Sequence, residues 1–431
     1  MTVPRTAPEL APALVAVLGG GEVTELRRLS AGASRETWTF ALDGRRLVLR
    51  RDPPGAPRPV EMAREAECLR AAARAGVPVP CVVRSSGGGD AVGTPYLVME
   101  HVDGESLPGR LLRDERWASA RVGLARELGR VLARIHALDP QAVPSLPLVP
   151  DPLGVLRARY DAFGEPQPGL DVAFRWLAEH RPPPVAPAVV HGDFRNGNLL
   201  VAPDGLAAVL DWELAHRGDP REDLGWLCAR AWRFGAEPAV GGFGSREELL
   251  AGYAEVAGTS PEAEAVRWWE IYGCVHWAVI CRIQAERHLG GTERSMELAV
   301  LGRRAVEAEY DALLALGVVS PADAVVPVPA APAAPGTSRP TVDELLEAVS
   351  GFLTDELVAG DDRSRYLAKV ARNALGIVRR ELASPDPDGS DLGDRLRAGA
   401  LDPDEPAVAD AVRSSVLTRL AVANPRYGSA R

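Results

Sequence analysis

An α+β fold follows from three features of the sequence. Strand-like runs crowd the first hundred residues, helical periodicity dominates from about Gly104, and a Pro/Ala-rich stretch sets a last helical segment apart. The expected architecture is a small β-rich lobe over residues 20–103 and a larger, mostly helical lobe over 104–318. A linker over 319–340 and a small all-α domain over 341–431 complete it. With 431 residues the chain has room for two or three domains and a real core.

The elements can be justified in order. Arg35 to Leu42 and Arg45 to Arg50 read as two strands joined by Asp43-Gly44, the strongest two-residue hairpin signal. A helix follows with Pro59 suited to its first turn, running to about Ala75 and stopped by Gly76. Tyr96 to Val102 is a further strand. The later helical stretch is interrupted by two short apolar runs, Ala188 to Val190 and Leu206 to Trp212. Ser320 to Pro340 cannot hold a helix or a central strand and reads as a semi-rigid extended linker. Beyond it, Thr341 to Leu382 places apolar residues at helical spacing, the run Ser384 to Asp394 reads as a loop, and Pro406 to Ala423 as a short helix.

The formal net charge of −10 argues against a nucleic-acid-binding role, which usually shows as a basic stripe. Five cysteines with no CxxC pair suggest neither a disulfide framework nor a zinc site, and Cys274 and Cys281 should share one buried helical face. No apolar run reaches the roughly 18 residues of a membrane span, and no secretory leader is visible, so a cytoplasmic location without a membrane partner is the expectation. Lys369 is the only lysine, so any phosphate contact must come from arginine.

The chemistry concentrates between Val189 and Trp212, VVHGDFRNGNLLVAPDGLAAVLDW. A strand, a polar loop, a short strand, a Pro203-Asp204-Gly205 turn and a strand ending at Asp211 would bring Asp193, Asn198 and Asp211 to one end of a β-ribbon. Any one of them alone is better read as a turn or capping residue. The ordered set is what suits phosphoryl transfer. Magnesium prefers a few hard oxygen ligands, which Asn198 and Asp211 would supply, while Asp193 would accept the proton of an attacking hydroxyl.

HGDFRNGN followed by LDWE resembles the motif of the aminoglycoside phosphotransferase (choline kinase-like) family. The resemblance implies a two-lobed protein-kinase-like fold, ATP and magnesium as cofactors, and a role for His191 in orienting the catalytic loop. Asp219 and Asp223, in GDPREDLGW, read as helix-capping carboxylates outside catalysis.

On the nucleotide side, alternation in Leu47-Val48-Leu49-Arg50 puts Val48 and Arg50 on one face; the run resembles the V-A-I-K strand of kinases, which implies Val48 near adenine and Arg50 where kinases carry lysine. Met62, Glu65, Leu69 and Ala72 share a helix face, so Glu65 points inward as the candidate partner of Arg50. Gly32 would let the turn Ser30 to Arg35 approach phosphate, with Ser34 as a donor. Met99 would be the gate residue, and Glu100 and Val102 would offer backbone carbonyl and amide to adenine. The run VLRR after the DG hairpin resembles the acyl-CoA dehydrogenase-associated branch of the family.

Trp268, Trp269, Tyr272 and His276, with Arg282 and Arg287 following, form an aromatic and arginine-bearing helix. Such spacing marks core more often than a ligand wall. A wall of this kind suits an acidic or acyl-CoA-like small-molecule acceptor better than a polycationic one. The branch resemblance implies a hydroxyacyl-CoA or hydroxy acid. The helical tail resembles a small uncharacterised domain found with such kinases, implying either a regulatory piece or one that docks to a partner in acyl-CoA metabolism. Two other readings share the motifs: a kinase for an aminoglycoside or other antibiotic, and a nucleotide-binding pseudokinase or scaffold.

Overall fold

The computed structural model describes residues 6–29, 35–323, 325, 342–355, 362–384 and 390–427. The first hundred residues form helix α1 (Ala7–Leu18), strands β1 (Val23–Leu29), β2 (Glu36–Leu42) and β3 (Arg45–Arg51), helix α2 (Pro59–Arg74), and strands β4 (Val82–Ser86) and β5 (Tyr96–Glu100). The five strands make one antiparallel sheet in the order β1-β2-β3-β5-β4. The β2–β3 turn has positive φ at both Asp43 (49°) and Gly44 (80°), as a type I′ turn needs for its twist to match the strands. That turn fixes the register, pairing Val48 with Thr39 and Arg50 with Thr37. Pro59 opens α2 as expected, and Gly76 lies just past its end at φ 72°.

The chain continues through α3 (Pro108–Arg113), α4 (Ala118–Arg121), α5 (Leu124–His136), α6 (Pro152–Asp161) and α7 (Pro168–Glu179). Strands β6 (Ala188–Val190), β7 (Leu199–Ala202), β8 (Gly205–Val209) and β9 (His216–Gly218) follow. They pair as two ribbons, β6 with β9 and β7 with β8. Helices α8 (Arg221–Cys228), α9 (Arg246–Ala257), α10 (Ala263–Leu289), α11 (Met296–Gly302) and α12 (Ala305–Leu316) come next. The tail consists of α13 (Val342–Asp355), α14 (Asp362–Ala383), α15 (Ser390–Arg397) and α16 (Pro406–Ala423). The stretch read as a loop after Ser384 is helical from Ser390 onward, because Leu392 and Leu396, four apart, pack into an apolar cluster with α7 and α16.

By compactness the chain divides into two units, residues 1–150 with 182–270, and residues 151–181 with 271–431. In the first unit, Trp38, Leu47, Leu49 and Tyr96 form a core against α1, and a second core joins α2 and α5 to the β7–β8 ribbon. In the second, α16 buries Val412, Val416 and Leu420 against α7 and α12. The lobes read from sequence are a division by chemistry and do not follow these boundaries. Cys274 and Cys281 are both buried, and all five cysteines are free thiols. Among the described residues no helix is long and apolar enough to cross a membrane.

Candidate functional site

The site is built on the β7–β8 ribbon and the loop that precedes it. Leu199 faces Val209, and the ladder extends one step as the Leu210 N–H donates to the Asn198 carbonyl at 2.8 Å. The ribbon therefore brings Asn198 beside the segment that ends in Asp211, as the sequence spacing requires. Asp211 leaves the ladder in the left-handed region at φ 66°, uncommon for a residue with a Cβ.

The Asp193 carboxylate accepts three hydrogen bonds. Oδ1 takes Arg195 Nε (2.8 Å) and Trp226 Nε1 (2.9 Å), and Oδ2 takes Asn198 Nδ2 (2.6 Å). A carboxylate has about four lone-pair positions, so one remains on Oδ2 for a substrate hydroxyl. The Asn198 amide nitrogen also donates to the Asp193 backbone carbonyl at 3.0 Å. With that nitrogen committed, its Oδ1 is the atom left to face a cation.

The loop itself is held from beneath. Asp223 accepts the backbone N–H groups of His191 (2.8 Å) and Gly192 (3.0 Å), and lies 3.1 Å from His136 Nε2. Burial pushes its carboxyl up, but the hydrogen bond and charge of His136 outweigh this and hold it below the usual range. Capping of its own helix was the sequence reading of Asp223; it caps the catalytic-type loop instead. Asp219 stays local, accepting from the Arg221 backbone at 2.9 Å. Gly192 sits at φ 79° where an added Cβ would meet the Leu214 carbonyl oxygen at 2.5 Å, so no other residue fits.

His191 is fully buried and its pKa is lowered by that burial. Its Nδ1 accepts from the Asp193 N–H (3.2 Å), which leaves Nε2–H to donate to the Leu210 carbonyl (3.0 Å). The neutral ring thus ties the loop to the segment that ends in Asp211, in keeping with the orienting role that the resemblance implies.

Arg50 projects from β3 and donates to both Glu65 of α2 and Asp211, the latter at 2.9 Å. Burial disfavours its charge, but the carboxylates of Glu65 and Asp211 raise its pKa and keep it ionised. Arg50 in turn outweighs the burial of Asp211 and holds that carboxyl below its ordinary range. Sequence reasoning missed a second arginine here. Arg35, 1 % exposed at its side chain, bonds the other oxygen of Glu65 and reaches Asp52 at 3.2 Å. An arginine opening a strand directly after a glycine turn was the available signal. It also missed Arg195 and Trp226, and Arg195 lies over the Trp232 ring at 4.4 Å.

Val48 and Met99 face each other across β3 and β5, Val48 half-buried and Met99 buried. The Glu100 N–H donates to the Cys81 carbonyl (2.9 Å) and its side chain pairs with Arg45, while Val102 lies in the extended segment after β5. Gly32 and Ser34 lie outside the described residues. Trp268, Trp269 and Tyr272 are each under 5 % exposed, which favours core for these three, and His276 is half-buried with its ring 5.6 Å from that of Tyr272.

The donor set fits magnesium. Among the described residues no group of three or more His, Cys, Asp or Glu side chains gathers as a softer metal would need. One amide oxygen and one ionised carboxylate at the end of a ribbon are the sparse hard-oxygen set of an ion that keeps water and phosphate ligands.

Fold and site define a class, and the chain belongs to it: the model of the phosphotransferase enzyme family matches residues 25–265, more than half of the chain. A domain of unknown function, DUF6285, matches residues 388–427. Acyl-CoA dehydrogenase family member 10 of Mus musculus is 33 % identical over 249 residues, covering 54 % of this chain and 23 % of that protein. Family member 11 of Gallus gallus is 30 % identical over 218 residues, covering 47 % and 27 %. The chain thus spans about a quarter of the length of the curated relatives it matches. Among solved structures, a candidate aminoglycoside phosphotransferase of Ralstonia eutropha aligns with a TM-score of 0.57 at 23 % identity, covering 72 % of this chain and 98 % of that one. The fold is accordingly protein-kinase-like, an N-terminal sheet lobe and a helical lobe, with a helical region at the C-terminus.

Proposed function

We propose that this chain transfers the γ-phosphoryl group of ATP to a hydroxyl of a small molecule, most simply a hydroxyacyl-CoA or a hydroxy acid. The observation that carries the reading is the Asp193 carboxylate, fixed by three donors with one lone-pair position left over. Asp193 accepts the acceptor's proton and aims its oxygen at the phosphorus. Asn198 Oδ1 and the Asp211 carboxylate would hold magnesium, which would supply positive charge against the phosphates. Arg50, steadied by Glu65, contacts the phosphates from the sheet side. Val48 and Met99 line the adenine pocket, and the backbone at Glu100 and Val102 reads the base edge. The similarity to acyl-CoA dehydrogenase family members motivates the acceptor class. The helical tail is a candidate docking element for a partner in acyl-CoA metabolism.

The test is ADP release from the purified chain with ATP and magnesium, offered hydroxyacyl-CoAs, free hydroxy acids and aminoglycosides in parallel. Turnover is expected with the first two, and Asp193→Asn is expected to lower kcat about 100- to 10,000-fold. Turnover confined to antibiotics would overturn the acceptor class. Nucleotide binding without turnover on any hydroxyl would leave the pseudokinase reading, which Arg50 in a lysine's place motivates.

A further inference from the structure

The second compact unit contains a cavity of about 520 Å³, lined by α7, α10, α12, α14 and α16, by the ends of α6 and α11, and by the segment after α6. That volume lies in the range of small-molecule sites. One side is apolar, with Val279 and Val306 among its residues and Val422 and Ala423 from the domain of unknown function. The polar side carries three arginines, Arg282, Arg303 and Arg419, each paired with a glutamate of the same lining.

The three pairs are not equivalent. Arg419 bonds both oxygens of Glu309, at 2.6 and 2.7 Å, and the Gly169 N–H adds a third bond at 2.9 Å. Glu309 is 1 % exposed, so this pair is a fixed wall. The other two sit at the rim. Glu165, 2.7 Å from Arg282, is 58 % exposed, and Glu381 beside Arg303 is 51 % exposed. Exposed pairs contribute little and exchange readily. Arg282 is additionally held over the Phe163 ring at 5.4 Å and lies 3.6 Å from Glu286 on its own helix, so when the Arg282–Glu165 pair opens it is Glu165 that leaves. What the opening presents is a fixed cation above an apolar recess.

We propose that this cavity binds an amphiphilic organic anion: a carboxylate met by Arg282 and Arg303, with a short apolar body against Val279, Val306 and Val422. The tail domain then has a defined task, since it supplies one wall of the site. The proposal does not rest on the phosphotransfer reading, because binding is measured on the full chain without nucleotide.

Isothermal titration with octanoate, octanol and acetate tests it. Octanoate is expected to bind saturably, with octanol and acetate at least tenfold weaker. An Arg282→Gln, Arg303→Gln double variant is expected to weaken octanoate at least tenfold while its circular dichroism and melting midpoint stay as in the parent. Glu165→Gln is expected to tighten binding, since it removes the nearer of the two carboxylates that compete for Arg282. Octanol binding as tightly as octanoate, no octanoate binding at millimolar concentration, or an affinity indifferent to the arginine and glutamate variants would each overturn the proposal.

Discussion

Glu65 receives two guanidinium groups, Arg35 on one carboxylate oxygen and Arg50 on the other, and Arg50 spends its second nitrogen on Asp211. This bridge uses the planar fork of arginine; an ammonium is a point charge on a flexible stem and cannot reproduce the pair of in-plane bonds. Arg50→Lys is therefore expected to retain Glu65, lose the constraint on Asp211, and lower kcat/KM for the nucleotide about tenfold, or roughly 1.4 kcal/mol of transition-state stabilisation. Steady-state kinetics with ATP varied decides it, and parent-like values would show that the fork is dispensable. Arg50, Glu65 and the Asp193–Asn198–Asp211 set could be read from the chain because strand alternation, helix spacing and hairpin length place them. Arg35, Arg195, Trp226 and the loop-holding role of Asp223 could not. Each acts on a partner between 2 and 33 residues away, through packing that no local period encodes.

At the scale of elements, β9 and α8 are joined by a buried pair, His216 Nε2 lying 3.3 Å from a Glu222 oxygen. Burial pulls the imidazole pKa down, but the Glu222 hydrogen bond and charge overcome it and raise the value to about 9. A folded-state pKa above the ordinary 6.5 means that the folded chain holds a proton the unfolded chain releases first. The contribution is therefore complete below about pH 6.5 and disappears as pH rises through 9, on the order of 3 kcal/mol in all. The denaturant midpoint is expected to fall between pH 6.5 and 9, and Glu222→Gln is expected to flatten that slope. A profile unchanged in the variant would assign the pH dependence elsewhere. Neither β9 nor the edge strands β1 and β4 was visible in the sequence. β9 has three residues, too few for any periodicity, and β1 carries charged residues on both faces, its burial pattern being almost wholly exposed. The Asp43-Gly44 hairpin and Pro406–Ala423 could be read to within a residue because a turn type and a helix stripe are local properties.

For the molecule as a whole, the point at issue is whether the tail is an attached module or part of a shared core. A Pro/Ala-rich stretch of sequence suggests attachment. The packing gives another answer within the second unit. Val412, Val416 and Leu420 recur every four residues along α16, are fully buried, and meet Val172 of α7 with Tyr310 and Leu313 of α12. Arg419, on the same helix, is locked to Glu309 of α12. An element that supplies both the apolar face and the charge partner of its neighbours folds with them and not beside them. Leu420→Ala removes three buried carbons, and at a site walled by three helices it is expected to cost about 2–5 kcal/mol. The informative readout is amide hydrogen exchange resolved by segment. With a shared core, α7 and α12 lose protection together with α16, by a similar free energy. If protection falls in α16 alone while α7 and α12 exchange as in the parent, the tail is an independent module, and a linker-like sequence was sufficient to say so.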